Sequence, residues 1–139
     1  MAHTITFELV SPEMLIISES VEMVVVPGSE GNIGVLPGHS PLIATLRPGL
    51  IDIHENGKIK DRFFVGGGFT DVSPANCTVL ANEAFLIQEV NRPAAEARLK
   101  EARRKVEDAT EAEITEANRH LTISEALLEM INYVVLNPH

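Results

Sequence analysis

Apolar and polar side chains alternate from the first residues onward. Ile5, Phe7 and Leu9 stand between Thr4, Thr6 and Glu8, and that period of two predicts a half-buried strand over 4–10. Ser11-Pro12-Glu13 turns the chain, and residues 15–18 and 21–26 predict two more strands, the second a valine run suited to a sandwich interior. Residues 42–46 predict another, ended by the turn signal Arg47-Pro48-Gly49. Residues 50–54 and 59–65 flank Asn56-Gly57, a strong hairpin signal because both central residues must take positive φ. Strands over 69–72 and 77–81, separated by Ser73-Pro74-Ala75-Asn76, complete a series whose short, regular spacing reads as an all-β sandwich or flattened barrel.

Near Asn91 the period changes. Ala95, Leu99, Ala102, Val106 and Ala109 recur at steps of four and three, which places them on one helical face, with Pro93 where a first turn tolerates it. Thr110-Glu111-Ala112-Glu113 has the form of a capping box, so a second helix is expected to start at Thr110. Its apolar face runs through Ile114, Ala117, Leu121, Leu128, Ile131 and Val135, widened by a second row of Ile123, Leu127, Met130 and Val134. So short a connection makes the helices an antiparallel hairpin, and an alanine-rich seam makes that pair a weak one. The reading is therefore α+β, with a sandwich domain over 1–88 and a helical hairpin over 89–139.

Residues 25–42 concentrate the unusual backbone chemistry. Gly28, Gly31, Gly34 and Gly38 with Pro27, Pro37 and Pro41 make a segment that must turn more than once. A path fixed by backbone, carrying Glu30, Asn32 and His39, is a candidate contact surface. Gly66-Gly67-Gly68 between strands marks a bulge or a close backbone approach rather than a phosphate cradle, since no Gly-Lys-Ser/Thr follows.

Composition narrows the function more than the fold. The net charge of −9 argues against nucleic acid or an anionic membrane face as the main partner. Residues 1–90 carry 4 basic and 11 acidic side chains and residues 91–139 carry 7 and 9, so the front part is the strongly acidic one. The single cysteine, Cys77, excludes an internal disulfide and reads as a small buried residue. The N-terminus has no basic stretch ahead of an apolar run, so a leader is not expected, and no apolar run is long enough for direct membrane insertion.

No reactive cluster is legible. His3 and His139 lie near the ends, His54 in a hairpin strand and His120 on a charged helix side, and no His-x-His or Cys-x-x-Cys spacing suggests a metal. His39 alone sits in a shaped loop, where it bonds nearby backbone or meets a partner; no paired acid or nucleophile supports catalysis. Glu101 and Lys105 form an i, i+4 pair. Arg103-Arg104-Lys105 reads as a complement to the helix dipole, a solvated face, or a docking site for an acidic partner.

The stretch Val26-Pro27-Gly28-Ser29-Glu30-Gly31-Asn32-Ile33-Gly34-Val35-Leu36-Pro37-Gly38-His39-Ser40-Pro41-Leu42, with Leu46-Arg47-Pro48-Gly49, Gly66-Gly67-Gly68-Phe69-Thr70-Asp71-Val72 and Val79-Leu80-Ala81-Asn82-Glu83-Ala84, resembles the epsilon subunits of bacterial F-type ATP synthases, counterparts of the mitochondrial delta subunit. The resemblance covers essentially the whole chain. It implies a ten-stranded β-sandwich followed by two helices, in a rotor subunit of the central stalk that does no chemistry and needs no cofactor. It implies a peripheral place on the cytoplasmic face of the bacterial plasma membrane. The partners it implies are the gamma subunit on one side of the sandwich and the ring of c subunits on the other, the latter facing Ser29, Glu30, Gly31, Asn32 and His39.

In that family the helices fold down or extend toward the alpha/beta catalytic head, a two-state switch. Candidate regulatory contacts here are Arg98, Arg103, Arg104 and Lys105. In some members ATP favours the folded form through an Ile/Leu-Asp-x-x-Arg-Ala motif. The aligned residues are Val90-Asn91-Arg92-Pro93-Ala94-Ala95, so Asn91 and Ala94 remove both charges and weak or no ATP binding is expected. The second helix carries five glutamates and only Arg119 in basic charge, which puts inhibition by extension in doubt.

Overall fold

The computed structural model describes residues 3–138. The readings that touch Met1, Ala2 and His139 lie outside the described residues. The chain divides into two compact units, one ending at Ile87 and the other spanning Gln88–Pro138.

In the first unit, eight strands form one folded-over sheet: β1 (Ile5–Val10), β2 (Leu15–Val21), β3 (Met23–Gly28), β4 (Gly31–Val35), β5 (Leu42–Glu55), β6 (Lys58–Val72), β7 (Asn76–Ala81) and β8 (Ala84–Leu86). Their order is β2-β1-β7-β6-β5-β3-β4, with β8 also paired to β6. Among the described residues only the β1–β7 pairing is parallel. The alternation of β1 is realised, with Ile5, Phe7 and Leu9 buried against Val24, Val26, Ile51, Ile53 and Val79 in one aliphatic core. Phe64 faces the other way and lies against Phe85, ring centroids 5.5 Å apart.

The α+β class with a sandwich and two helices holds, but the described residues form eight strands where ten were expected. The main reason is that β5 and β6 run through signals that read as breaks. Arg47-Pro48-Gly49 does not end a strand. Pro48 pairs with Gly66, whose own N–H goes to the Glu83 carbonyl at 2.9 Å, so this is not a hydrogen-bonded pair of the β5–β6 ladder. The missing proline N–H then falls on the β3 side, where pairing is interrupted between Val25 opposite Asp52 and Gly28 opposite Leu46. Gly66-Gly67-Gly68 lies inside β6. A Cβ on Gly68 would sit 2.1 Å from the Leu80 carbonyl oxygen, which bears out the close backbone approach. Asn56 (φ 54°) and Gly57 (φ 73°) make the expected hairpin turn.

The second unit is a pair of helices, α1 (Arg92–Asp108) and α2 (Ile114–Leu136). In α1 the expected face is buried at Ala95, Leu99 and Ala102. In α2 the buried residues are Ile123, Ser124, Leu127 and Ile131, whereas Val135 is 67% exposed. The row read as secondary is therefore the packed one over most of its length. The helix also starts later than Thr110. Only half of the capping box forms: the Glu113 carboxylate accepts from the Thr110 N–H at 3.0 Å and from its hydroxyl at 2.9 Å. The Glu113 N–H meets the Thr110 carbonyl instead, so the segment is a turn and α2 begins at Ile114.

Candidate functional site

Residues 25–42 hold a strand that their glycine content concealed. β3 and β4 form a hairpin with Gly28 opposite Gly31, leaving Ser29 and Glu30 as an exposed two-residue tip. Gly28 can only be glycine, because a Cβ there would meet the Gly31 carbonyl oxygen at 2.5 Å. Gly31 takes φ 139°, and Asn32 is exposed beside it on the sheet edge. The Ser29 N–H donates to the Thr45 carbonyl at 2.9 Å, tying the tip to β5.

His39 lies in the following loop, over 36–41. Its own N–H bonds the Leu36 carbonyl at 3.1 Å and its Nδ1 is 2.7 Å from the Ser40 carbonyl. The Gly38 N–H is anchored to the Pro74 carbonyl at 2.8 Å. This loop enters β5 at Leu42, three residues before the Thr45 that holds the tip. Tip and loop thus flank one stretch of β5 about 10 Å long, at about 3.3 Å per residue. His39 bonds its own loop, and among the described residues no acid or nucleophile is paired with it.

The strand register adds residues that periodicity did not single out. Leu15 faces Val10, Val10 faces Leu80, Leu80 faces Phe69 and Phe69 faces Thr45, a row crossing five strands and ending at the tip's anchor. These side chains share the outward face: Leu15 is 52%, Phe69 46% and Leu80 39% exposed, with Ile43 (73%) two residues before Thr45 on β5 and Met14 (61%) just ahead of β2. A shallow cavity of about 180 Å³ lies among Val10, Pro12, Phe69 and Leu80. The signal was present in β1 and β7, where Val10 and Leu80 occupy the parity that should be polar. Single exposed apolar residues are ordinary; a contiguous row marks an interaction surface.

Four of the helical candidates, Asn91, Ala94, Arg98 and Arg104, are engaged within their own unit. Asn91 caps α1, its Oδ1 accepting from the Ala94 N–H at 2.9 Å, so the two residues of the degenerate motif meet in a helix cap. The Arg98 Nε donates to the Ser124 hydroxyl at 3.3 Å across the helix pair. Glu101 pairs with Arg104 rather than with Lys105 as expected, and Arg104 also reaches Asp108 at 3.1 Å. Arg103 and Lys105 are exposed on α1. A cleft of about 630 Å³ at the helix turn is lined by Arg104, Lys105, Asp108, Glu113, Glu116 and His120. Glu116 there serves both Arg119 and His120.

Several acids of this unit are held below the usual carboxylate range: Glu101 by Arg104, Glu113 by the Thr110 backbone and hydroxyl, and Glu116 by Arg119. In the sandwich, burial pushes the Cys77 thiol up. Among the described residues no group of three metal-binding side chains occurs, and no helix is long and apolar enough to cross a membrane.

Comparison with known proteins agrees with this architecture. The family model described as ATP synthase, Delta/Epsilon chain, beta-sandwich domain matches residues 4–87. The chain is similar to the ATP synthase epsilon chain of Rhodospirillum rubrum, 51% identical over 92% of this chain and 96% of that one. It is 47% identical to the epsilon chain of Paramagnetospirillum magneticum over 91% of this chain and 96% of that one. Among solved structures it resembles a chain of the Euglena gracilis mitochondrial ATP synthase OSCP/F1/c-ring assembly, with TM-score 0.76, 26% identity, and coverage of 99% of this chain and 84% of that one. The chain belongs to the ATP synthase delta/epsilon family, as an epsilon chain, a structural and non-catalytic subunit of that enzyme.

Proposed function

We propose that this chain is a rotor subunit of the central stalk, joining gamma to the c ring from a peripheral position on the cytoplasmic face of the bacterial plasma membrane. The apolar row from Leu15 through Val10 and Leu80 to Phe69 is the face that gamma covers. The polar tip at Ser29, Glu30, Gly31 and Asn32, with His39 beside the same stretch of β5, faces the ring. The observation that carries this reading is that the apolar row and the polar tip meet at Thr45, so one rigid strand serves both contacts. Torque between two neighbours needs such a link. The acidic front part suits basic ring loops.

Two substitutions test it by separating the contacts. Phe69→Asp buries a charge in the gamma contact and is expected to release the subunit from purified gamma. His39→Ala should leave gamma binding intact and lower ATP-driven proton pumping modestly. Complete loss of turnover with His39→Ala would contradict a binding role, and gamma binding unaffected by Phe69→Asp would move gamma elsewhere.

The helices do not sense ATP in this reading, because Asn91 is spent on the α1 cap and Ala94 has no charge to offer phosphate. Calorimetry is expected to find no micromolar ATP site. Nor do the helices block the alpha/beta catalytic head, since residues 110–136 set five glutamates against Arg119 as their one basic charge, and Arg98 and Arg104 are engaged within the helix pair. Removing residues 91–139 should leave ATP hydrolysis nearly unchanged; a several-fold rise would restore an inhibitory role.

A further inference from the structure

We propose that Arg47 is the positioning residue of the hairpin tip, holding Asn32 so that its amide N–H pair faces backbone carbonyls on a neighbouring loop. The proposal rests on the reading of the tip as ring-facing and adds which atoms make the contact. Arg47 stands in the gap of the β3–β5 ladder, where pairing resumes only at Gly28 opposite Leu46. Its fork reaches from there to the hairpin: Nη1 donates to the Gly28 carbonyl on β3 at 2.5 Å and Nη2 to the Asn32 Oδ1 on β4 at 2.7 Å. With Ser29 bonded to Thr45, the tip is tied to β5 by backbone on one side and by a guanidinium on the other.

The orientation of Asn32 follows from chemistry. Arginine has only donors, so the amide must turn its oxygen inward and its NH₂ outward. What the exposed edge offers beside the tip is therefore a pair of donors. A carboxylate partner is disfavoured by the 11 acidic against 4 basic side chains of residues 1–90, which leaves neutral carbonyl oxygens as the fitting acceptors. Arg47 sits on a strand 14 residues long that also carries the core residues Leu46, Ile51 and Ile53, so the tip is referred to the rigid body of the sandwich.

The full chain bound to gamma, titrated onto detergent-solubilised c ring, tests this. Asn32→Asp keeps an acceptor for Arg47 but loses both outward donors. Its unfolding temperature should stay level or rise, while ring binding weakens about tenfold, on the scale of a lost hydrogen bond plus an unpaired group. Arg47→Ala should weaken binding about fivefold, with Arg47→Lys between it and the parent. The double variant should bind no worse than Asn32→Asp alone, because Arg47 acts through Asn32. Unchanged binding with Asn32→Asp, or losses that multiply in the double variant, would overturn the proposal; Asn32→Asp decides it even where Arg47→Ala fails to fold. A bulky maleimide on Glu30→Cys, specific because Cys77 is buried, checks the underlying reading. If it leaves ring binding intact, the tip does not face the ring and the proposal falls with that reading. If it blocks binding while Asn32→Asp is normal, only the role of Arg47 and Asn32 falls.

Discussion

In the sandwich Phe7, Leu9, Val24, Ile51 and Phe64 are completely buried, whereas α1 closes on Ala95, Leu99 and Ala102 and α2 on Ile123, Leu127 and Ile131. A fully buried large apolar side chain contributes about 1.5–3 kcal/mol and an alanine methyl much less. The same contrast appears in backbone fit. Gly28 and Gly68 are wedged against backbone in the sandwich with no space for a Cβ, and a Cβ on Gly49 would press on the Pro27 ring at 3.0 Å, while the helix pair leans on caps and exposed ion pairs. One unit is built to hold a shape; the other is held by contacts that single protons or caps can loosen.

The largest expected effect sharpens that contrast at its stiffest point. Gly68→Val places a side chain where the Leu80 carbonyl already sits, at a φ of 137° that L residues rarely adopt. It should cost about 4 kcal/mol or more, read as loss of cooperative unfolding. Phe7→Ala, in the sandwich core, should cost about 3–5 kcal/mol by thermal unfolding, whereas Leu99→Ala should cost about 2 kcal/mol and appear mainly in amide exchange of the helices. Equal losses would erase the distinction between the units. A smaller effect, about 1 kcal/mol, is expected for Asn91→Ala through the α1 cap, with Asn91→Asp neutral or better because it keeps the acceptor and adds a charge at a helix N-terminus.

Acidification is expected to act on the helix pair first. The carboxyls held low are Glu101, Glu113 and Glu116, all in the helix pair. A carboxyl with a depressed folded value stabilises above its ordinary value of 4.5 and loses that contribution as pH falls through the depressed one. Far-ultraviolet circular dichroism between pH 5 and about pH 3 should therefore lose helix signal first, with sandwich amides still protected. Loss in the opposite order would contradict the assignment.

Much of this contrast was legible in the sequence. Alternation found β1, Asn-Gly found the β5–β6 turn, and the glycine triplet announced a close approach that Gly68 makes. What failed were signals whose meaning depends on neighbours. Pro48-Gly49 reads as a turn in isolation, yet the gap in β3 pairing lets β5 continue through it. β4 was hidden because Gly31 and Gly34 carry no side chain to set a period. In α2 two rows of apolar residues competed, and only packing chose Ile123 and Leu127. The outward row was the costliest omission, because Val10, Leu80 and Phe69 become neighbours only once the strands are in register. Arg47 was passed over for the same reason: its partners Gly28 and Asn32 lie 19 and 15 residues away.

As proposed, the sandwich carries the ring contact at its β3–β4 tip. Since Cys77 is buried, a cysteine introduced at Glu30 is the exposed thiol of the chain and reports that contact directly. In the assembled enzyme, oxidative cross-linking from Glu30→Cys to cysteines placed in the c-subunit loops should join the two, while Glu111→Cys at the helix turn should not. Cross-linking from Glu111→Cys with none from Glu30→Cys would contradict the account.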